Sequence, residues 1–310
     1  MAFIQTVRGP VAIDELGLIL PHEHLFTDLR GPEVPGYAEA DPEDVQRAMQ
    51  PLLDAAWAAG VTALVECSTG GVGRNARVLA HLAAHTPLAI VAPTGVYREQ
   101  YMPAAIRRMD EQALADWMTR DIAEGIDGTG VRAGFIKMAV SDGGITDHER
   151  RALAAAARAA LATGVVVASH TSGPAAGAHA LEELDILESR GLEPRRFIWV
   201  HTQNEADREV QRAFARRGGW LSYDALSPAA EDKFVSLVLW ALDAGLARQV
   251  MLSHDAGWYR PGEPEGGAKR GYTYLIEGFL PRLRREGVSE ETIRLLTAEN
   301  PQRAFAVPAA

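Results

Sequence analysis

Cysteine is nearly absent: Cys67 is the single thiol in 310 residues. One thiol excludes an internal disulfide and a thiolate-cluster metal site, and makes the cytoplasm the default location. Long apolar runs are missing too. No stretch reaches the ~18 residues that a membrane span needs. The opening "MAFIQTVRGP" lacks the basic-then-apolar order of a secretory signal, so no membrane partner is expected. Positive charge is in deficit, with 31 Lys and Arg against 41 Asp and Glu for a net −10. A chain of that sign is repelled by phosphate backbones, which argues against nucleic acid as a partner. No linker rich in Pro, Gly or Ser divides the chain, so residues 1–310 read as one domain.

What is present is alternation. Eight short apolar runs recur: Leu16–Leu20, Val61–Cys67, Leu88–Thr94, Ala133–Val140, Gly164–Ser169, Arg196–Val200, Gly219–Asp224 and Gln249–Ser253. Between most of them lie stretches with helical periodicity, the clearest being 42–60, 112–125, 147–163, 177–191, 205–217 and 232–245. A closing helix is expected over 292–306, interrupted near Pro301. Strands so uniformly apolar, each followed by a helix, predict a parallel sheet covered on its faces. Eight such units fit a (β/α)8 TIM barrel. A doubly wound open sheet is the alternative, but no G-x-G-x-x-G follows the first strand.

In a barrel of this kind, chemistry sits at the carboxyl ends of the strands. Strand one runs into "LPHEHL", and alternation along a strand would send His22 and His24 to one face and Glu23 to the other. Two surface histidines in a turn is the plainer reading of that hexamer. Further ends supply Glu66 and Cys67, then Tyr97, Lys137 inside "FIKMAV", His170, His201 and the pair His254-Asp255. Imidazoles and a carboxylate without thiolates suit zinc, manganese, iron, cobalt or nickel, and there are too many donors for one tetrahedral ion. Lys137 leaves three readings open. Its stem could snorkel to solvent, its amine could form a Schiff base, or the neutral amine could take up CO2 to become a bridging carbamate.

The ordered set "HEH", "GFIKMA", "VASHT", "WVHT" and "LSHDA", with the closing "AENPQRAF", resembles the phosphotriesterase family of the amidohydrolase superfamily over nearly the whole chain. The resemblance implies a binuclear hydrolase, with zinc the foremost metal. His22, His24 and Asp255 would hold the inner ion and His170 and His201 the outer one. Lys137, as N6-carboxylysine, and a hydroxide would bridge the two. Asp255 would take the proton of the nucleophile, and His254 would relay it outward or merely orient Asp255. It further implies a small-molecule substrate and a homodimer.

Loops must decide which bond is cut. Tyr97 resembles the tyrosine with which lactonase members of the family crowd the metal-bound oxygen, or else it is a packing aromatic. The long segment after Asp255, "AGWYRPGEPEGGAKRGYTYL", is aromatic and cationic. Trp258, Tyr259 and Arg260, with Lys233 from the loop after strand seven, are the expected substrate contacts. Lys233 and Arg260 could clamp an anionic group, or they could simply be solvated. The expectation is a lactonase, on sugar lactones with an anionic or phosphate substituent. Phosphotriesterase or carboxylesterase/amidase action is the alternative within the family, and a Schiff-base lyase the alternative outside it.

Overall fold

The computed structural model describes residues 2–308. An antiparallel hairpin comes first, from β1 (Phe3–Thr6) and β2 (Gly9–Ala12). The ring then follows: β3 (Leu18–Phe26), β4 (Val61–Glu66), β5 (Ala89–Val91) with β6 (Pro93–Thr94), β7 (Phe135–Ala139), β8 (Val167–His170), β9 (Phe197–Val200), β10 (Trp220–Tyr223) and β11 (Val250–Leu252). A short β12 (Gly257–Tyr259) pairs with the outer end of β3. All ring pairings are parallel, in the orders β3-β4-β5 and β6-β7-β8-β9-β10-β11. Ala92 alone separates β5 from β6, so these are one barrel stave bent in the middle, and the sheet is a (β/α)8 barrel.

Each stave is buried on both faces, which is why the sequence runs are continuously apolar. Inward residues such as Ile19, Val65, Val91, Phe135, Ile198 and Met251 form a packed interior. Ile4 of the hairpin and Phe305 of the last helix join that cluster from below and close the floor. The hairpin has no counterpart in the sequence expectation, because residues 3–12 alternate too weakly to register as strands. Outward residues pack against the helices in the larger cluster.

Local chemistry sets the helix ends. Asp41 accepts from Glu43 N at the start of Pro42–Ala58, and Thr146 and Glu149 form a reciprocal capping box ahead of Asp147–Thr163. Gly164 ends that helix in the left-handed conformation at φ 85°. Ala76–Ala84, capped by Asn75, supplies the helix after β4 that periodicity did not single out. The final helix differs from expectation: it runs on through Pro301, and the irregularity is a widened π turn at Leu295–Glu299. A matching π turn at Leu275–Phe279 precedes Pro281. In both cases the proline ring would collide with the carbonyl of the residue four back, and the wider turn relieves the collision. Among the described residues no helix is long and apolar enough to cross a membrane.

One buried carboxyl behind β8 is a liability. Glu183 is unexposed, accepts from Thr171 Oγ1 at 2.6 Å and leaves Oε2 without a partner. Burial pushes it up from 4.5 to about 8. Its raised value means the folded state holds a proton that the unfolded chain gives up. Its contribution to stability is complete below pH 4.5 and drains as pH rises to about 8. Replacing Glu183 by Gln removes that slope: thermal melts across this range should show the variant gaining on the parent toward alkaline pH. Parallel curves would rule out the buried acid.

Candidate metal centre

Pro21 sits just ahead of the two imidazoles in β3. It cannot donate to a ladder, and the β3–β4 register slips between Leu20 and Glu23. Beyond that slip the alternation holds. The rings of His22 and His24 share the barrel mouth with centroids 5.4 Å apart. Glu23, unexposed, turns the other way and accepts from Ser253 Oγ at 2.8 Å, His254 N at 3.0 Å, His254 Nδ1 at 2.7 Å and Ala256 N at 2.8 Å. The middle residue of "HEH" therefore ties the first stave to the chain leaving the last one.

A single buried carboxylate orients two of the histidines. Asp224, at the end of β10, meets His22 Nδ1 at 3.1 Å and His201 Nδ1 at 2.7 Å. It also accepts from His201 N and Gln203 Nε2, each at 3.0 Å. Burial works against the Asp224 anion, but the two imidazoles and their hydrogen bonds outweigh it and hold the carboxyl well below its usual range. His24 is fixed through Nδ1 by Ser68 Oγ at 2.8 Å, itself 2.8 Å from Thr27 Oγ1. With every Nδ1 engaged, the Nε2 atoms of His22, His24 and His201 are left for the mouth.

These atoms converge. Asp255 Oδ1 lies 3.0 Å from His24 Nε2 and 3.5 Å from His22 Nε2, and the three side chains form a group compact enough to grip an ion. The 3.0 Å approach is close without being an aligned hydrogen bond, since Oδ1 is left unsatisfied. His22, His201 and Asp224 are equally compact, but there the carboxylate already engages both Nδ1 atoms, so that trio orients and does not ligate. His201 Nε2 is 2.8 Å from His170 Nδ1. Burial lowers both His22 and His170, keeping lone pairs available, whereas Asp224 overcomes burial to raise His201. Asp255 falls below its ordinary range because its imidazole neighbours outweigh burial.

Lys137 completes the ring of donors. It is 1% exposed, and Nζ has no hydrogen-bond partner. Burial lowers its pKa, against the pull of Cys67, Asp224 and Asp255, which favours the neutral amine. His22, His24, Lys137, His170, His201 and Asp255 line one cavity of about 50 Å³, with Cys67, Tyr97 and Trp258 around them. An orphaned amine among free imidazole nitrogens and a bare carboxylate oxygen fits a site for divalent cations.

The remaining sequence candidates divide. Tyr97 reaches the cavity, its hydroxyl 3.2 Å from His170 Nδ1, with burial raising its pKa. Gly95 permits this: at φ +100° it passes over Lys137, where a Cβ would lie 2.3 Å from the carbonyl oxygen. The Trp258 ring lies 4.4 Å from that of His24, and its Nε1 donates to Asp255 O. Tyr259 points away, stacking on Phe26 and lining an outer cleft with Asp44 and Arg47. Arg260 pairs with Glu263 and borders a basin of about 350 Å³ that it shares with Asp255, Trp258, Lys269 and Arg270. Lys233 is exposed on the helix Glu231–Asp243 and lines neither space. His254 is not brought to the cluster: Nδ1 donates to Glu23 and Nε2 accepts from Leu275 N at 2.8 Å. Asp224 is a residue whose orienting role sequence reasoning missed, since it stood out only as one of the residues offered by the loop after strand seven. It stood at the end of a recognised strand, "LSYDA", and that position was the available signal.

The sequence model of the phosphotriesterase family matches residues 2–305. The chain belongs to the phosphotriesterase family. Its relatives include the phosphotriesterase homology protein of Escherichia coli (strain K12), 29% identical over 299 residues that span 95% of this chain and 100% of that one. The aryldialkylphosphatase of Saccharolobus solfataricus is 29% identical over 316 residues, 96% of this chain and 98% of its own. Among solved structures, a mutant PTE-like lactonase of Deinococcus radiodurans superposes with a TM-score of 0.87 at 30% identity, covering 97% of this chain and 99% of that one. The chain is thus a metal-dependent hydrolase of this family.

Replacing Asp224 by Ala frees two imidazoles to rotate. Equilibrium dialysis against a divalent cation should show affinity falling about 10–100-fold, the usual effect of losing such an orienting partner. Unchanged binding would mean that the two rings hold their aim without it.

Proposed function

We propose that this member of the family uses two divalent cations, zinc foremost, to open lactones, preferentially sugar lactones with an anionic substituent. One observation carries the two-metal part: the Lys137 amine is sealed among four imidazoles and Asp255 with nothing to bond to. As a neutral nucleophile it can add CO2 to give N6-carboxylysine, a carbamate with two oxygens where the bare amine has none to offer. His22, His24 and Asp255 would hold one cation, and His170 and His201 the other, with the Lys137 carbamate between. Such ions, when bound, polarise a carbonyl and acidify water.

The protein's own groups supply the rest. Asp255, held ionised, takes the proton released from the attacking water. His254, engaged at both ring nitrogens, holds the segment that carries Asp255. Tyr97 and Trp258 narrow the entrance over His170 and His24. The similarity to a PTE-like lactonase favours the lactone, and a cavity of about 50 Å³ has room for the reacting ester group alone. The body of the substrate must then lie outside, and Asp255 and Trp258 border both the cavity and the basin lined by Arg260, Lys269 and Arg270. That basin suits an anionic substituent, and it moves the proposed clamp from Lys233 to the loop cations. Residues 1–310 act in this reading as one catalytic domain.

Initial rates on lactones with and without a phosphate, beside paraoxon-type triesters and simple amides, test the assignment. Phosphorylated lactones should give the highest kcat/KM, and chelation should abolish turnover. Fast triester hydrolysis with inert lactones would reverse the order. Incubation with 13C-bicarbonate should give a carbamate carbon signal that Lys137→Ala lacks. A borohydride-trapped substrate adduct on Lys137 would instead establish the Schiff-base lyase.

A further inference from the structure

Arg98 is a residue that neither the family motifs nor the reaction above employs. Its side chain is 15% exposed and reaches from the loop after β6 across the loops that follow β7 and β8. Nη1 donates to Asp142 Oδ2 at 2.9 Å and Nη2 to Asp142 Oδ1 at 2.6 Å, a two-pronged pair. Nη2 also lies 3.0 Å from Ser172 Oγ and 2.7 Å from His170 Nε2. Ser172 Oγ in turn stands 3.1 Å from His170 Nε2 and donates to Asp142 Oδ1 at 3.0 Å. The loops are pressed together here: a Cβ on Gly173 would come within 2.7 Å of Asp142 Cβ.

The donor inventory makes this cluster two-valued. Neutral imidazole has one N–H and one lone pair, and a guanidinium only donates. When Arg98 donates to His170 Nε2, the ring hydrogen must sit on Nδ1, from which it points to His201 Nε2 at 2.8 Å. Both inward lone pairs are then consumed. When instead Nε2 carries the hydrogen, it donates to Ser172 Oγ, and Ser172 passes its own hydrogen to Asp142. His170 Nδ1 and His201 Nε2 then both present lone pairs to the cavity. Only this second arrangement can ligate.

We propose that Arg98 competes with the outer divalent cation for His170, while Ser172 and Asp142 stabilise the ligating tautomer. The proposal rests on the two-metal reading. It makes the outer ion the exchangeable one, because its histidine has a standing cationic rival, whereas His22 is backed by a carboxylate and His24 by a hydroxyl that can accept its ring hydrogen. Arg98 is thus a positioning residue for His170.

The test is cobalt titration of the demetallated full-length protein with a competing chelator, followed by absorbance and metal content. His170→Asn identifies the outer class of site by deleting it. Arg98→Met should tighten the outer class roughly 10-fold or more and leave the inner class unchanged, while Ser172→Ala should weaken the outer class about 10-fold. Nitrogen-15 spectra of the demetallated parent should show His170 carrying its hydrogen on Nδ1, shifting toward Nε2 in Arg98→Met. Two classes in the parent with an outer affinity indifferent to Arg98→Met would overturn the competition alone. Weakening of both classes by Arg98→Met would reduce Arg98 to a structural brace and overturn it as well. A parent that binds only one equivalent would overturn both this proposal and the two-metal reading.

Discussion

Two imidazoles brought in by β3 and β9 share one carboxylate from β10, and the geometry of the mouth depends on that sharing. Asp224 is fully buried, an expensive place for a charge unless every lone pair is used. Here both oxygens are occupied by donors from His22, His201 and Gln203, so the anion is compensated on all sides. The arrangement spans non-adjacent staves. It therefore exists only when the barrel is closed, and it converts closure into fixed ring orientations. Glu23 performs the matching task on the opposite face of β3, where four hydrogen bonds draw the last stave against the first.

The backbone around the mouth carries strain consistent with this precision. His201, Asp255 and Trp258 all adopt positive φ, at 66°, 54° and 78°. Each such residue costs about 1–2 kcal/mol when it is not glycine, and strain of this kind persists only where surrounding contacts over-determine it. At His201 the hydrogen bonds from N and Nδ1 to Asp224 do so. At Trp258 the indole donates back to Asp255 O, and Arg270 donates to the same carbonyl. Gly257, between them, passes so near β3 that a Cβ would meet His24 O at 1.8 Å. The donor set is thus held by loops with little freedom, while the cations of the outer basin sit on the more open part of the same segment.

The histidines of the mouth differ in what backs each of them. His22 and His24 rest on Asp224 and Ser68, groups able to accept a ring hydrogen. His170 rests on Ser172 and on Arg98, which can only donate. Similar imidazoles can in this way differ in how firmly their ring hydrogens are committed, and the difference lies one layer behind the cavity.

Period and position made much in this chain legible without coordinates. Continuous apolar runs between helical stretches announced a parallel barrel, because a stave buried on both faces has no polar side to show. The two-residue spacing of His22 and His24 announced a shared face, because strand geometry alternates. Six donors at strand ends announced a single cavity, because a barrel gathers those ends. The hairpin at 3–12, the π turns before Pro281 and Pro301, and the roles of Asp224, Glu23 and Arg98 were not legible. The side-chain roles depend on contacts between residues tens to hundreds of positions apart. The hairpin is local but alternates too weakly, and the π turns answer to a proline whose effect on the preceding turn shows only in three dimensions. An aspartate following a strand looks the same in one dimension whether it grips a cation or steadies the ring that does. Residue type and local spacing settled which atoms could bind; only the closed barrel, by deciding which nitrogen faces inward and which is spoken for behind, settled which of them are free to do so.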